Sequence, residues 1–275
     1  MVLALACRAL AGGAEAPGPV ELKLRSSDGI RLRADLYSGA TPTAGLLLVV
    51  PGFAQNKATG TMRSIAHGLT PQADVLLLDL RGTGASGGDY SFGSEEDRDV
   101  QAALAWAQSR YARVDLLGFS LGGTIGLAAA AAGPLRPQRC LLVSPPTRVE
   151  DVILSGGLLH FWLHGLGSDP RLAQPEDAAT FFRWGPIFGP KPRGEASAAG
   201  APVPLHFLVG ALDPLVFPAL TRRLWDAAAE PATWTLWPDG GHAEQMALLH
   251  PQAFDQWVRA CLAAPLESTP IAGKP

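Results

Sequence analysis

Residues 116–123 read LLGFSLGG, which centres Ser120 in a G-x-S-x-G pentapeptide. Upstream, VDLLGF (114–119) is a short apolar run of the kind that forms a strand buried on both faces. Downstream, LGGTIGLAAAAAG (121–133) is a run of small and apolar residues that suits a helix. A serine between such a strand and such a helix is expected on a sharp, strained turn, with Gly118 and Gly122 clearing the space around it and its hydroxyl standing at the C-terminal edge of a sheet.

Working outward, VELKLRSSDGIRLRADLY (20–37) alternates apolar and polar residues on both sides of Asp28-Gly29, as an antiparallel hairpin with one solvated face does. The runs GLLLVV (45–50), DVLLLDL (74–80), RCLLVS (139–144) and LHFLVG (205–210) join 114–119 as candidate parallel strands. Helical patterns lie between them. In SEEDRDVQAALAWAQSR (94–110), Ser94 and Asp97 predict a capping box, and Val100, Ala103, Leu104 and Ala107 share one face. PALTRRLWDAAAE (218–230) reads as a helix, and PQAFDQWVRACLAA (251–264) as a closing one with Phe254, Trp257, Val258 and Cys261 inward. The expectation is an α/β fold: a mostly parallel central sheet flanked by helices on both faces, with an N-terminal antiparallel hairpin.

Residues 146–203 break the rhythm, being rich in Pro and Gly and holding the aromatic clusters LLHFWLHG and FFRWGPIF. A structureless loop of that length is uncommon in a compact domain, so a small helical cap or lid insertion is expected there. It would divide the core into 20–145 and 204–275. Residues 1–19 read as a flexible leader or the remnant of a signal, giving a cytoplasmic protein, or an exported or lipid-anchored one if the true start lies upstream.

The 275 residues are 47% hydrophobic and 17% charged, with a formal net charge of -3, enough apolar content for one sizeable core and no basic excess for nucleic acid. No run is long enough for a membrane span. Cys7, Cys140 and Cys261 are widely spaced, odd in number and without a C-x-x-C pair, so they suggest neither a disulfide framework nor a zinc site.

A serine hydroxyl needs a base, and a neutral imidazole needs a carboxylate to hold its tautomer. Asp213 in LVGALDPLV lies just past a strand, and His242 in WTLWPDGGHAE lies in the loop after the next one. Other histidines fit less well: His206 falls inside a strand, His67 and His250 at or near helices, His160 and His164 in the insertion. Asp239, only three residues from His242, fits a loop role better than membership of a triad.

The order Ser, Asp, His around this strand–turn–helix resembles the α/β-hydrolase superfamily, in particular its serine esterases, lipases and serine aminopeptidases, from about residue 20 to the end. The resemblance implies Ser120 as nucleophile, Asp213 as orienting acid, His242 as general base and acid, an acyl-enzyme intermediate, and neither cofactor nor metal. Glu150 and Asp151 are a second source of acid, because some members of the family take it from the strand before them. The family pattern puts the oxyanion donors at the backbone N–H groups of Leu121 and of Phe53 in VVPGFAQNK, where Pro51-Gly52 replaces the common His-Gly.

If the insertion is a lid, Phe161, Trp162, Phe181, Phe182 and Trp184 are candidates to bind an apolar ester of small to medium size. Thioesterase and aminopeptidase activities remain alternatives, the latter needing an acid for the amine, such as Glu150, Glu176 or Asp177. DLRGTGASGG (79–88) raises a reading from another class, because Gly82, Gly84 and Gly87 match the G-x-G-x-x-G of nicotinamide-dependent oxidoreductases. It also matches the D-x-R-G-x-G-x-S segment common in the hydrolases, in which Asp79 and Arg81 would fix a tight loop at the site's rim. A non-catalytic binding member of the fold is the third alternative.

Overall fold

The computed structural model describes residues 18–39, 45–53, 55–157, 183–185, 190–191, 193–229 and 231–266. Their elements run in the order β1 (Val20–Arg25), β2 (Arg31–Tyr37), β3 (Gly45–Val50), α1 (Gly60–Leu69), β4 (Asp74–Asp79), α2 (Asp97–Gln108), β5 (Arg113–Phe119) and α3 (Leu121–Ala132). There follow β6 (Cys140–Val143), α4 (Val149–Leu154), α5 (Gly194–Gly200), β7 (Leu205–Gly210), α6 (Pro218–Ala227), β8 (Ala232–Trp237), α7 (Glu244–Leu249) and α8 (Pro251–Ala263).

The eight strands form one sheet in the order β1-β2-β4-β3-β5-β6-β7-β8. β1 and β2 pair antiparallel, β2 pairs antiparallel with β4, and every pairing from β4 to β8 is parallel. Every residue of β3, β4, β6 and β7 is buried, which is why these strands read as continuous apolar runs. β1, at the edge, alternates exposed and half-buried residues from Leu22 onward.

Two apolar layers cover the sheet. Leu46, Leu48, Leu76, Leu116 and Phe207 pack with residues of α2, α3, α5 and α6 on one face. On the other, Leu47, Leu77, Leu117 and Leu208 meet Met62 and Ile65 of α1, Met246 of α7 and Phe254 and Val258 of α8.

Strand order determines where a crevice opens. β3 has β4 on one side and β5 on the other, so the chain leaves β3 in one direction and returns past it in the other. In α/β sheets the gap outside the carboxyl ends of two such strands receives the ligand. Here that gap lies between the loop after β3 and the turn after β5.

One local expectation is corrected. Ser94 and Asp97 form no capping box, because α2 begins at Asp97 and its N-cap is Glu96. The reciprocal bonds belong to Ser91 and Glu96 instead: the Glu96 carboxylate accepts the N–H and hydroxyl of Ser91 and the N–H of Gly93, while Ser91 Oγ accepts the N–H of Glu95. A fully buried carboxylate tying down a loop outcompetes a cap that sequence spacing allowed.

Candidate active site

Ser120 follows β5 directly and precedes α3, with φ 48° and ψ −127°. Such a conformation is costly for a residue with a side chain, and the packing around it leaves no alternative. A Cβ on Gly118 would lie 2.5 Å from the Cα of Gly123, and one on Gly122 would collide with the carbonyl oxygen of Pro51. Helix, strand and the loop after β3 therefore close on the serine only because both neighbours are glycine.

The structure brings Ser120, His242 and Asp213 together. His242 Nε2 is 3.0 Å from Ser120 Oγ, and His242 Nδ1 is 2.8 Å from Asp213 Oδ2. All three residues are buried. Asp213 Oδ1 accepts the N–H groups of Leu215 at 2.9 Å and Val216 at 2.8 Å, so the carboxylate faces the imidazole in one orientation. The His242 N–H donates to Gln245 Oε1 at 2.9 Å, which holds the loop carrying the ring. With Nδ1 facing a carboxylate, the tautomer consistent with the network carries its proton there, leaving Nε2 to accept from the serine hydroxyl. Chemically, such a chain can take a proton from Ser120 as the hydroxyl attacks and return it to a leaving group.

The second source of acid is engaged elsewhere. Asp151 binds the Thr147 hydroxyl and sits 3.6 Å from Arg148 and from Arg223, and Glu150 is 3.6 Å from Lys191. His206 bonds Thr233 Oγ1 at 2.9 Å within the sheet, and burial lowers its pKa to about 4. His160, His164, Glu176 and Asp177 lie outside the described residues.

Among the described residues, four other than glycine have positive φ: Phe92, Ser120, Ser144 and Ala243. All four surround this site. Ser144 follows β6, Ala243 follows His242, and Phe92 lines the cavity into which Ser120 opens. That cavity measures about 250 Å³ and is walled by Phe53, Phe92, Leu121, Val149, Trp184 and Val216, among other apolar residues. Phe92 lies 5.5 Å from Phe53 and 5.4 Å from Trp184, ring centre to ring centre. Of the five aromatic candidates in the insertion, Trp184 thus lines the cavity, whereas Phe161, Trp162, Phe181 and Phe182 lie outside the described residues. Phe92, Val149 and Val216 were not singled out by sequence. Their only signal is an apolar residue in the stretch that follows a strand, which many residues share.

The two backbone N–H candidates flank the serine. Leu121 is the first residue of α3, where helical geometry provides no acceptor for the N–H. Phe53 sits in the loop after β3, which packs against the same turn through Pro51 and Gly122.

The glycine run at 79–88 opens no helix: α2 starts only at Asp97, so the turn lacks the helix N-terminus that holds a pyrophosphate. Asp79 and Arg81 do make the loop's polar contacts. The buried Arg81 guanidinium binds Asp99 at 2.7 Å, Asp28 at 2.8 Å and Glu95 at 3.0 Å. Burial pushes the Asp99 carboxyl up to about 6 despite that partner, whereas for Asp28 the bonds from Arg81, Ser26 and Arg98 outweigh burial and hold it well below the usual range. Among the described residues no cluster of three or more His, Cys, Asp or Glu side chains is placed to hold a metal ion, and no helix is long and apolar enough to cross a membrane.

Comparison with known proteins follows the same lines. A Mycobacterium tuberculosis protein, Rv2307c, is 27% identical over 235 residues, covering 82% of this chain and 73% of its own. The N-formylmaleamate deformylase of Pseudomonas putida is 34% identical over 125 residues, 44% of each chain. Among solved structures, the esterase Pf2001 of Pyrococcus furiosus superposes with a TM-score of 0.70 over 90% of this chain and 93% of that one, at 18% identity, a likeness of fold. The family model described as alpha/beta hydrolase fold matches residues 45–236. The chain belongs to the alpha/beta hydrolase family.

Proposed function

We infer that the protein is a serine hydrolase that cleaves carboxylic esters of small to medium apolar substrates. The observation that carries this reading is the hydrogen-bonded line Ser120–His242–Asp213 opening into an apolar cavity. His242 takes the Ser120 proton as Oγ attacks the ester carbonyl, and Asp213 stabilises the imidazolium that forms. The backbone N–H groups of Leu121 and Phe53 receive the developing oxyanion. Collapse of the tetrahedral intermediate expels the alcohol with the proton from His242 and leaves an acyl-Ser120. Water, deprotonated by the same histidine, then releases the acid.

The apolar walls favour an uncharged group beside the serine, since burying an unpaired charge there is costly. Esters are favoured over aminoacyl amides for the same reason: of the acids considered for an amine, Glu150 is paired with Lys191. The family and its esterase and deformylase relatives support hydrolysis in general. Two measurements test the reading: labelling by a fluorophosphonate, and turnover of a nitrophenyl ester series of rising acyl length, each with Ser120→Ala as control. Labelling and turnover confined to the unsubstituted chain support it. A folded protein that neither reacts nor turns over any ester defeats it.

A further inference from the structure

Asp79 ends β4 fully buried, and no step above uses its carboxylate. Each of its oxygens accepts one backbone N–H from a different loop. Oδ1 accepts from Lys57 at 2.7 Å and Oδ2 from Ala85 at 2.9 Å.

Lys57 lies four residues beyond Phe53, in a run of tight turns that starts with Gln55 N–H to Gly52 O at 3.2 Å and continues with Thr59 N–H to Asn56 O at 3.2 Å. Its ammonium is held in turn by Asp35 at 2.8 Å and Glu21 at 3.1 Å, on the antiparallel strands. Ala85 belongs to the glycine turn. There Gly84, at φ 49°, presses so close to Asp79 that a Cβ would collide with Oδ2. The turn carries the other wall of the cavity: Arg183 N–H donates to Gly82 O at 2.9 Å and Tyr90 N–H to Arg183 O at 2.8 Å, which seats the strand-like segment bearing Trp184.

We propose that Asp79 is a positioning residue for the oxyanion site, one buried carboxylate that holds the Phe53 loop in register with the glycine turn across the mouth of the crevice. This rests on the assignment of Phe53 as an oxyanion donor. A carboxylate suits the position because both converging groups are donors, and bonds to an ionised acceptor are about twice as strong as neutral ones. An amide would turn its NH2 toward one of the two N–H groups and release one loop. Burial pushes the Asp79 pKa up to about 6, and the two N–H bonds limit the rise. Freeing Lys57 N–H removes one tie of the loop that carries Phe53, and a drift of the donor by fractions of an ångström is enough to weaken transition-state binding while leaving the apolar cavity in place.

The test compares the unsubstituted chain with Asp79→Asn in ester kinetics and in affinity for a trifluoromethyl ketone, which forms a tetrahedral adduct with an active serine. The expected result is a kcat lower by roughly 10–100-fold, KM within about threefold, and ketone affinity falling in step with kcat. A kcat within twofold, or a loss carried by KM with ketone affinity unchanged, overturns the proposal. Should Asp79→Asn fail to fold, Lys57→Pro decides, since residue 57 is the second position of the Asn56–Thr59 turn, where proline is accommodated, and the substitution deletes the N–H that Asp79 Oδ1 accepts. It is expected to lower kcat roughly threefold or more with KM unchanged; a kcat within twofold overturns the proposal. If the unsubstituted chain shows neither labelling nor turnover, the serine hydrolase reading itself has failed. If it is active and Asp79→Asn is indifferent, only the present one has.

Discussion

The same strands carry a buried ionisable cluster at each end, and the two behave as different kinds of structure. β5 places Asp115 near its start and Ser120 just past its finish; β7 places His206 near its start and Asp213 just past its finish. At the starting end, Asp115 pairs with Arg139 at 3.1 Å and with Arg113 at 3.3 Å, and the Arg139 guanidinium reaches the carbonyls of Cys261 and Ala264, closing the end of the last helix. At the finishing end, the acid and histidine face a serine that opens into a cavity. Both clusters are buried, and Asp115 is pushed up to about 6 by desolvation against its two arginines. A perturbed acid therefore does not single out the site. Backbone strain does: every non-glycine residue with positive φ among those described lies at the finishing end.

The sharpest way to break this contrast is to exchange the two clusters' phenotypes by substitution. Ser120→Ala or His242→Ala is expected to lower kcat on esters on the order of 10⁴-fold or more with little change in Tm. Asp115→Ala is expected to do the opposite. It leaves Arg139 buried without its acid and costs about 3 kcal/mol of stability, read by denaturant unfolding, with kcat of the folded enzyme within threefold. Loss of activity in Asp115→Ala at full folding would put both clusters in one functional unit.

A weaker effect comes from pH, and its sign differs within the starting-end cluster. Asp115 has a folded pKa above its unfolded value, so the folded state binds more protons and stability falls as pH rises through about 4 to 6. His206 has a folded pKa of about 4, below its unfolded value, so the unfolded state binds more protons and stability rises with pH from about 4 to 6.5. Relative to the unsubstituted chain, the unfolding free energy of Asp115→Asn should climb with pH across this window, and that of His206→Gln should descend. Each slope is on the order of 1 kcal/mol per pH unit. Parallel curves for all three proteins would remove the linkage.

The smallest expected effect concerns the cavity wall. Trp184 is 60% exposed, so Trp184→Ala removes only part of an aromatic contact and should raise KM for longer acyl esters about fivefold, with kcat nearly unchanged. An equal rise for acetyl esters would mean that Trp184 braces the loops and does not meet the acyl chain.

Much of the architecture was legible because it is written at short range. The strands from β3 to β7 announce themselves as apolar runs, and the α2 face at Val100, Ala103, Leu104 and Ala107 is buried as its spacing predicts. Short-range reading failed where a distant group competed. Ser94 and Asp97 had the right spacing for a cap, but Ser91 and Glu96 took the bonds because Glu96 is enclosed by the loop it ties. The cavity walls were mostly hidden for a related reason. Phe53 and Trp184 could be named from their own segments, but Phe92, Val149 and Val216 come from three others, and nothing in those marks them as facing the same cavity.

LLGFSLGG alone determined a strand, a turn forced by glycines and a helix, because the contacts that shape the turn lie within a few residues of Ser120 and against the loop that the neighbouring strand brings to it. The order of Ser, Asp and His along the chain could likewise be read directly. Only the tertiary structure decided that His242, 122 positions away, stands 3.0 Å from Ser120, and that Asp79 accepts one N–H from each of two loops. Those distances, and the burial that perturbs Asp79, Asp115 and His206, depend on how the loops close over the sheet. Loop closure is a property of the packed whole, to which no local pattern of residues gives access.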